Sequence, residues 1–363
     1  MSGINTQVSK QTNSNNGIDL IKYGAAILII CFHCERVIQD PVVHHLFKNV
    51  LCRIAVPYFL ISTSYFVRRG YDGSPGYLKR YVTSSIRSYL FWSLIYLPIG
   101  FVWIQENYSL EPYLYPIALL AGLVYTGTYY HLWYIPAMIF GLIFAHWFIK
   151  KKGYALLFGL TFILSLFGSL ETYYGYIEFE PLKAFFDQYL NLFITTRNGL
   201  FFTLVFVVVG YFLWDYHEKI AAFQKYFGLL VVLFGGLLVG EGLIVYANTG
   251  IDKNFMWSLI PFTAIFFCWS MTLNLKIAVD FKQLRDLGKY YFFIHPLCIL
   301  WAASLVDSYH FLANSWLQLI VTLVATHLLS SLMITISKQL PGYYFGLQMM
   351  LRVNNGYLNL GKR

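Results

Sequence analysis

Apolar runs of about 20 residues, the length that crosses a bilayer as a helix, recur along the whole chain. They fall near 18–38, 47–67, 85–104, 131–149, 154–171, 199–215, 223–246, 256–275, 288–308 and 315–336, with short polar or Gly/Pro-bearing stretches between them. This pattern predicts an all-α fold, a polytopic transmembrane helical bundle of about ten spans. A further run, Tyr113 to Tyr125, is short and broken by Pro116, and reads as a re-entrant or interfacial helix. Residues 1–16 are polar throughout and predict a disordered cytoplasmic tail. The transmembrane domain then covers 17–340, with a cytoplasmic C-terminal tail over 341–363. No cleavable signal is evident, and the first run can act as its own insertion signal. No internal repeat stands out, which weighs against the inverted-repeat transporter folds.

Composition supports the membrane reading. The 363 residues are 58% hydrophobic and 20% aromatic but only 12% charged, with a mean hydropathy of +0.57. Soluble domains carry about a quarter charged residues. The net charge of +9 does not mark a nucleic-acid binder, because the basic residues sit in short loops between apolar runs. With the N-terminus inside, 19 of the 26 Lys and Arg residues fall on the cytoplasmic side. Five (Arg36, Lys48, Lys183, Arg197 and Lys253) fall on the other, and Lys22 and Arg53 lie within spans. That bias places both termini in the cytoplasm. The longest outer loop, 172–198, is aromatic and mildly acidic, suited to a lid or a sugar-facing surface. The five cysteines all lie inside apolar runs. Cys31-x-x-Cys34 has no second pair, so the cysteines read as buried small residues and no metal is expected.

Polar groups inside a span are expensive and mark function by default. The first span carries Lys22 near its inner end and His33 near its outer end. Eleven residues separate them, roughly 16 Å along a helix. This topology brings Arg53, Arg197, Glu241, His131 and Trp133 to the outer level of His33. On the inner side Lys22, Lys79, Arg80 and Arg87 form a basic cluster, and His295 lies about two turns in from the cytoplasmic end of the ninth span.

These residues carry a likeness to a known family. IDLIKYGAAILIICFH (Ile18–His33), RIAVPYFLISTSYF (Arg53–Phe66), HLWYIPAMIFG (His131–Gly141), RNGLFFTLVFVVVGYFL (Arg197–Leu213) and YFFIHPL (Tyr291–Leu297) occur in this order. Together they resemble the acyltransferase-3 family, integral membrane enzymes that O-acetylate bacterial envelope and capsular polysaccharides. Departures exist: lysine stands at 22 where the family more often has arginine, Ser62-Thr63 replaces a usual Ser-Gly, and Arg80 and Arg87 are seven apart where two arginines are usually three apart.

The resemblance implies a multi-pass protein of the bacterial plasma membrane that takes an acyl group from cytoplasmic acyl-CoA, usually acetyl-CoA. The group would end on a hydroxyl of a surface polysaccharide or glycolipid at the outer face. His33 would act as general base and Arg53 or Arg197 would stabilise the oxyanion. Glu241 would orient His33 or take its proton. Lys22, Lys79, Arg80 and Arg87 would hold the CoA phosphates, and His131 and Trp133 would contact substrate. Membrane lipid and the acceptor glycan are the other expected partners; the oligomeric state stays open, a homodimer included. The competing reading is a transporter or flippase for a lipid-linked sugar, which buried charge and aromatic richness would also suit.

Overall fold

A computed structural model describes residues 15–107, 111–247, 250–308 and 314–339, and every regular element among them is helical. The helices are α1 (Asn16–His33), α2 (Pro41–His45), α3 (Ala55–Gly73), α4 (Tyr77–Asn107), α5 (Tyr115–Ala121) and α6 (Tyr134–Ser169). They continue with α7 (Glu180–Phe193), α8 (Leu204–Asp215), α9 (His217–Ala221), α10 (Phe227–Tyr246), α11 (Leu259–Thr272), α12 (Phe281–Ser308) and α13 (Ser315–Gln339). Residues 341–363 and most of the expected N-terminal tail lie outside the described residues.

Each of the ten apolar runs is a helix or part of one. Six helical stretches among the described residues are long and apolar enough to cross a membrane: 16–33, 41–73, 77–106, 134–169, 224–246 and 315–339. The runs behind α8 and α11 form helices of 12 and 14 residues, short of that length. The run behind α12 forms a 28-residue helix whose first turns carry Lys282, Arg285, Asp286 and Lys289. The two runs at 131–149 and 154–171 share α6, which breaks at Gly153, where φ is +77°. Glycine adopts that left-handed conformation without a Cβ clash. The short run at 113–125 forms α5 and the widened helical turn Gly122–Thr126.

Two parallel helix pairs set the core. α1 and α12 run side by side in the same direction. Asp19 pairs with Arg285 at 3.1 Å, the Tyr23 and Tyr291 hydroxyls meet at 3.1 Å, and the His33 and His295 rings stack at the far end. α3 and α8 are parallel too, tied by the Arg68–Asp215 ion pair at 2.7 Å, whose carboxylate also accepts from the Tyr154 hydroxyl. Their backbones approach at Gly210, where a Cβ would meet the Ser64 hydroxyl and lie 2.5 Å from the Ile61 carbonyl. Small residues permit such approach in a membrane bundle, where close packing replaces the hydrophobic drive.

The segment 172–198, expected as an outer loop, carries α7, which buries Phe186 against Phe167 of α6. The segment 250–258, between α10 and α11, crosses to the starts of α3 and α8. The Glu171 carbonyl accepts from the amides of Ile251 and Asp252, and the Thr172 hydroxyl accepts from the Phe255 amide.

Candidate functional site

α1 ends at His33, and three contacts fix its last turn. The Lys48 ammonium donates to the Cys34 carbonyl at 2.9 Å, a cation at a helix C-terminus. Phe32 packs between Lys48, 5.7 Å from its ring centroid, and Arg53, 4.2 Å away. The His33 ring meets the Phe32 edge at 5.0 Å and Tyr130 at 4.7 Å. With its neighbours anchored, the imidazole is held in one place.

Arg53, Arg197 and the strap 250–258 form a polar layer at the His33 end of α1. Arg53 donates to Asp252 at 3.0 Å and to the Asn254 side chain; the Asn254 amide in turn donates to Asp252. The other Asp252 oxygen lies 3.8 Å from Arg197, so one carboxylate serves two guanidinium groups. Arg197 stacks over Trp133 at 5.4 Å and is the more exposed of the two, 30% against 14%. Its turn is held by Glu171, whose buried carboxylate accepts from the Thr196 amide at 2.5 Å and the Thr195 hydroxyl at 3.3 Å. The sequence reading brought His33, Arg53, Arg197, Glu241, His131 and Trp133 to one layer, and these contacts join His33, Arg53, Arg197 and Trp133. It missed Asp252, Asn254 and Glu171. The available signal was acidic residues at span ends in a chain with only 17 of them.

Trp133 is buried beneath Arg197 rather than open as a platform. His131 is also buried, in a box of Tyr96 at 4.7 Å, Tyr130 at 5.6 Å and Phe292 at 5.4 Å. Neither of its ring nitrogens has a hydrogen-bond partner among the described residues. The His295 ring lies 5.6 Å from His131 and 5.4 Å from His33. The expected position of His295, two turns into its span near the cytoplasmic side, is therefore corrected. α12 begins at Phe281, which sets His295 about four turns in, level with the end of α1. No group of three His, Cys, Asp or Glu among the described residues is arranged to hold a metal ion.

Glu241 is a second correction. It stands on α10, where its carboxylate accepts from the Trp257 amide at 2.6 Å, the Ser258 amide at 2.7 Å, and the Ser258 and Tyr173 hydroxyls. The Trp257 and Ser258 groups lead into α11 and Tyr173 follows α6, so the carboxylate ties the start of α11 to the turn after α6. It makes no contact with His33.

A partly open cavity of about 190 Å³ lies between α1, α3, α4, α6 and α12. Its lining is mostly apolar, from Ile29, Val56, Phe59 and Phe66 to Met138 and Phe293. Lys22, Arg285 and Lys289 supply its positive charge. Asp19 offsets Arg285, and Asp286 lies 3.1 Å from Lys289. The lining also includes Phe292, whose ring packs on His131. Lys22, one of the four cations the sequence reading grouped on the inner side, lines this cavity. Lys79, Arg80 and Arg87 do not line it, and all three are exposed. The face of α4 that turns inward carries Tyr81, Ser85 and Ser88, spaced one helical turn apart. Arg80 instead donates to the Ser74 hydroxyl at 3.0 Å. The cations that share the cavity wall with Lys22 are Arg285 and Lys289, which read in the sequence as ordinary loop-side positives.

Comparison with known proteins adds three findings. The acyltransferase-3 family model, described as an acyltransferase domain, matches residues 15–335. An amino-acid racemase of Enterococcus faecalis is 27% identical over 333 residues, covering 90% of this chain and 47% of the racemase. A serine/alanine racemase of Enterococcus gallinarum is 25% identical over 326 residues, 86% of this chain and 45% of the relative. The chain therefore spans less than half the length of these curated relatives. No solved structure gives a significant match.

Proposed function

The chain belongs to the acyltransferase-3 family, and on that premise we propose that it moves an acyl group, acetyl in the first instance, across the membrane. The donor is cytoplasmic acyl-CoA and the acceptor is a hydroxyl of an envelope or capsular glycan or glycolipid at the outer face. In this reading the protein lies in a bacterial plasma membrane, crosses it about ten times and keeps both termini in the cytoplasm. The observation that carries the proposal is the cavity with Lys22, Arg285 and Lys289 in its wall and Phe292 leading to the histidines.

The parts divide the work as follows. The three cations hold the CoA phosphates by charge-assisted hydrogen bonds, and the apolar wall takes the pantetheine arm. His33 removes the proton of the acceptor hydroxyl as its oxygen attacks the thioester carbon. Arg197 stabilises the oxyanion that develops. It suits that role better than Arg53, being more exposed and more loosely tied to Asp252. Collapse of the intermediate breaks the carbon–sulfur bond and releases CoA. The test uses membranes from producing cells given labelled acetyl-CoA. Label should enter an envelope polymer, and His33→Ala should cut that transfer about 10²–10⁴-fold. Full transfer by His33→Ala would sink the assignment.

The racemase names favour a second reading, in which this membrane domain handles an amino acid. Arg53 and Arg197 would then grip a carboxylate. Labelled serine or alanine bound by the purified protein, with no consumption of acetyl-CoA, would select this reading over the first.

A further inference from the structure

The ring nitrogens of His295 are disposed for chemistry. Its Nδ1 lies 2.8 Å from the Tyr291 carbonyl oxygen. A carbonyl only accepts, so Nδ1 carries the hydrogen and the neutral ring keeps a bare lone pair on Nε2. That Nε2 is buried and has no hydrogen-bond partner among the described residues, and the side chain has no exposure to solvent. A histidine kept for packing inside an apolar helix would gain by pairing both nitrogens, since an unpaired buried acceptor costs stability. One nitrogen locked as donor and the other left bare is the disposition of a general base held by an orienting carbonyl. The ring stacks on His33 with an interplanar angle of 29°.

We infer that His295 is a second proton-accepting group of the site, and that His33 and His295 together take up one proton per turnover. The inference rests on the acyltransfer reading above. Two imidazoles 5.4 Å apart in a low-dielectric interior cannot both be cationic without strong repulsion. The groups around the pair are His131, Tyr96, Tyr129 and Tyr130, with Arg53, Arg197 and Lys48 on the outer side. They add positive charge and no carboxylate contact to either ring among the described residues. In the transfer step the acceptor oxygen bonds the acyl carbon and its proton passes to the pair. The carbon–sulfur bond breaks with its electron pair on sulfur. The pair then returns that proton to the thiolate, giving CoA thiol and two neutral rings, so no other reactant is needed.

The test is His295→Asn, whose side-chain amide can still donate to the Tyr291 carbonyl but offers no base at the Nε2 position. Transfer from labelled acetyl-CoA should fall about 100-fold or more in kcat, with KM for acetyl-CoA and thermal stability unchanged. The double variant His33→Ala/His295→Asn should be no slower than the slower single variant, because the two groups act as one unit. If His295→Asn does not fold, His295→Gln carries the same measurement. Wild-type kcat in the variant overturns the inference while leaving His33 and the transferase reading intact. So does a rate loss that tracks lost thermal stability, or a double variant whose loss is the product of the two singles. A wild-type protein that transfers no acetyl overturns the transferase reading and this role with it.

Discussion

Arg53 donates to Asp252 at 3.0 Å across 199 positions of chain, and the second oxygen of that carboxylate faces Arg197. A single acid from the strap between α10 and α11 thereby sets the spacing of two cations carried by the starts of α3 and α8. The relation makes the polar layer beside His33 a built arrangement and gives the strap a function in holding it.

Asp252→Ala should destabilise the protein by about 1–3 kcal/mol, less than the loss for a fully buried pair because the carboxylate is 28% exposed. Asp252→Asn should lose less, since it keeps a hydrogen-bond acceptor for Arg53. Thermal unfolding in detergent measures both. Equal melting temperatures for wild type and Asp252→Ala would remove the strap from any role in the layer.

The cavity cations and the α4 cations should separate cleanly in a binding assay. Lys22→Met or Lys289→Met should weaken CoA binding about 10-fold or more, the loss of a charge-assisted contact to phosphate. Lys79→Met, Arg80→Met and Arg87→Met should leave it unchanged, because those side chains are exposed and outside the cavity. Isothermal titration of purified variants with CoA decides it; weakening by the α4 group would return the donor site to α4.

Glu241→Ala should behave as a fold variant. Removing the acceptor of two amides and two hydroxyls at the start of α11 should cost about 2–4 kcal/mol. The folded fraction should keep the wild-type kcat. A selective loss of kcat with unaltered melting would instead tie Glu241 to the proton chemistry.

Gly210→Ala should destabilise by about 1–3 kcal/mol or more, because the added methyl meets the Ile61 carbonyl, a backbone atom that cannot swing aside. Gly236→Ala on α10, with open space at its Cβ position, is the control and should be near neutral. Comparing their melting temperatures isolates the α3–α8 contact from helix propensity.

The pattern of apolar runs was enough to place the long apolar helices, though not α7, because a lipid-facing segment must satisfy its backbone within itself and so announces its length and period. The rarity of charge in those runs was likewise enough to single out Lys22, His33, Arg53 and Arg197, since each polar side chain there carries a cost that needs a reason. Which partner each one has was not legible. Asp252 sits in a polar segment where an acid is unremarkable, and Arg285 and Lys289 look like ordinary positive-inside residues until α12 turns them toward Lys22. Glu241 has the composition of a catalytic acid and the position of a helix cap. His295 needed the tertiary structure most, because depth along one helix does not fix register against another. Only the packing of α12 beside α1 set its ring on His33, and only the carbonyl of Tyr291 decided which nitrogen was left bare.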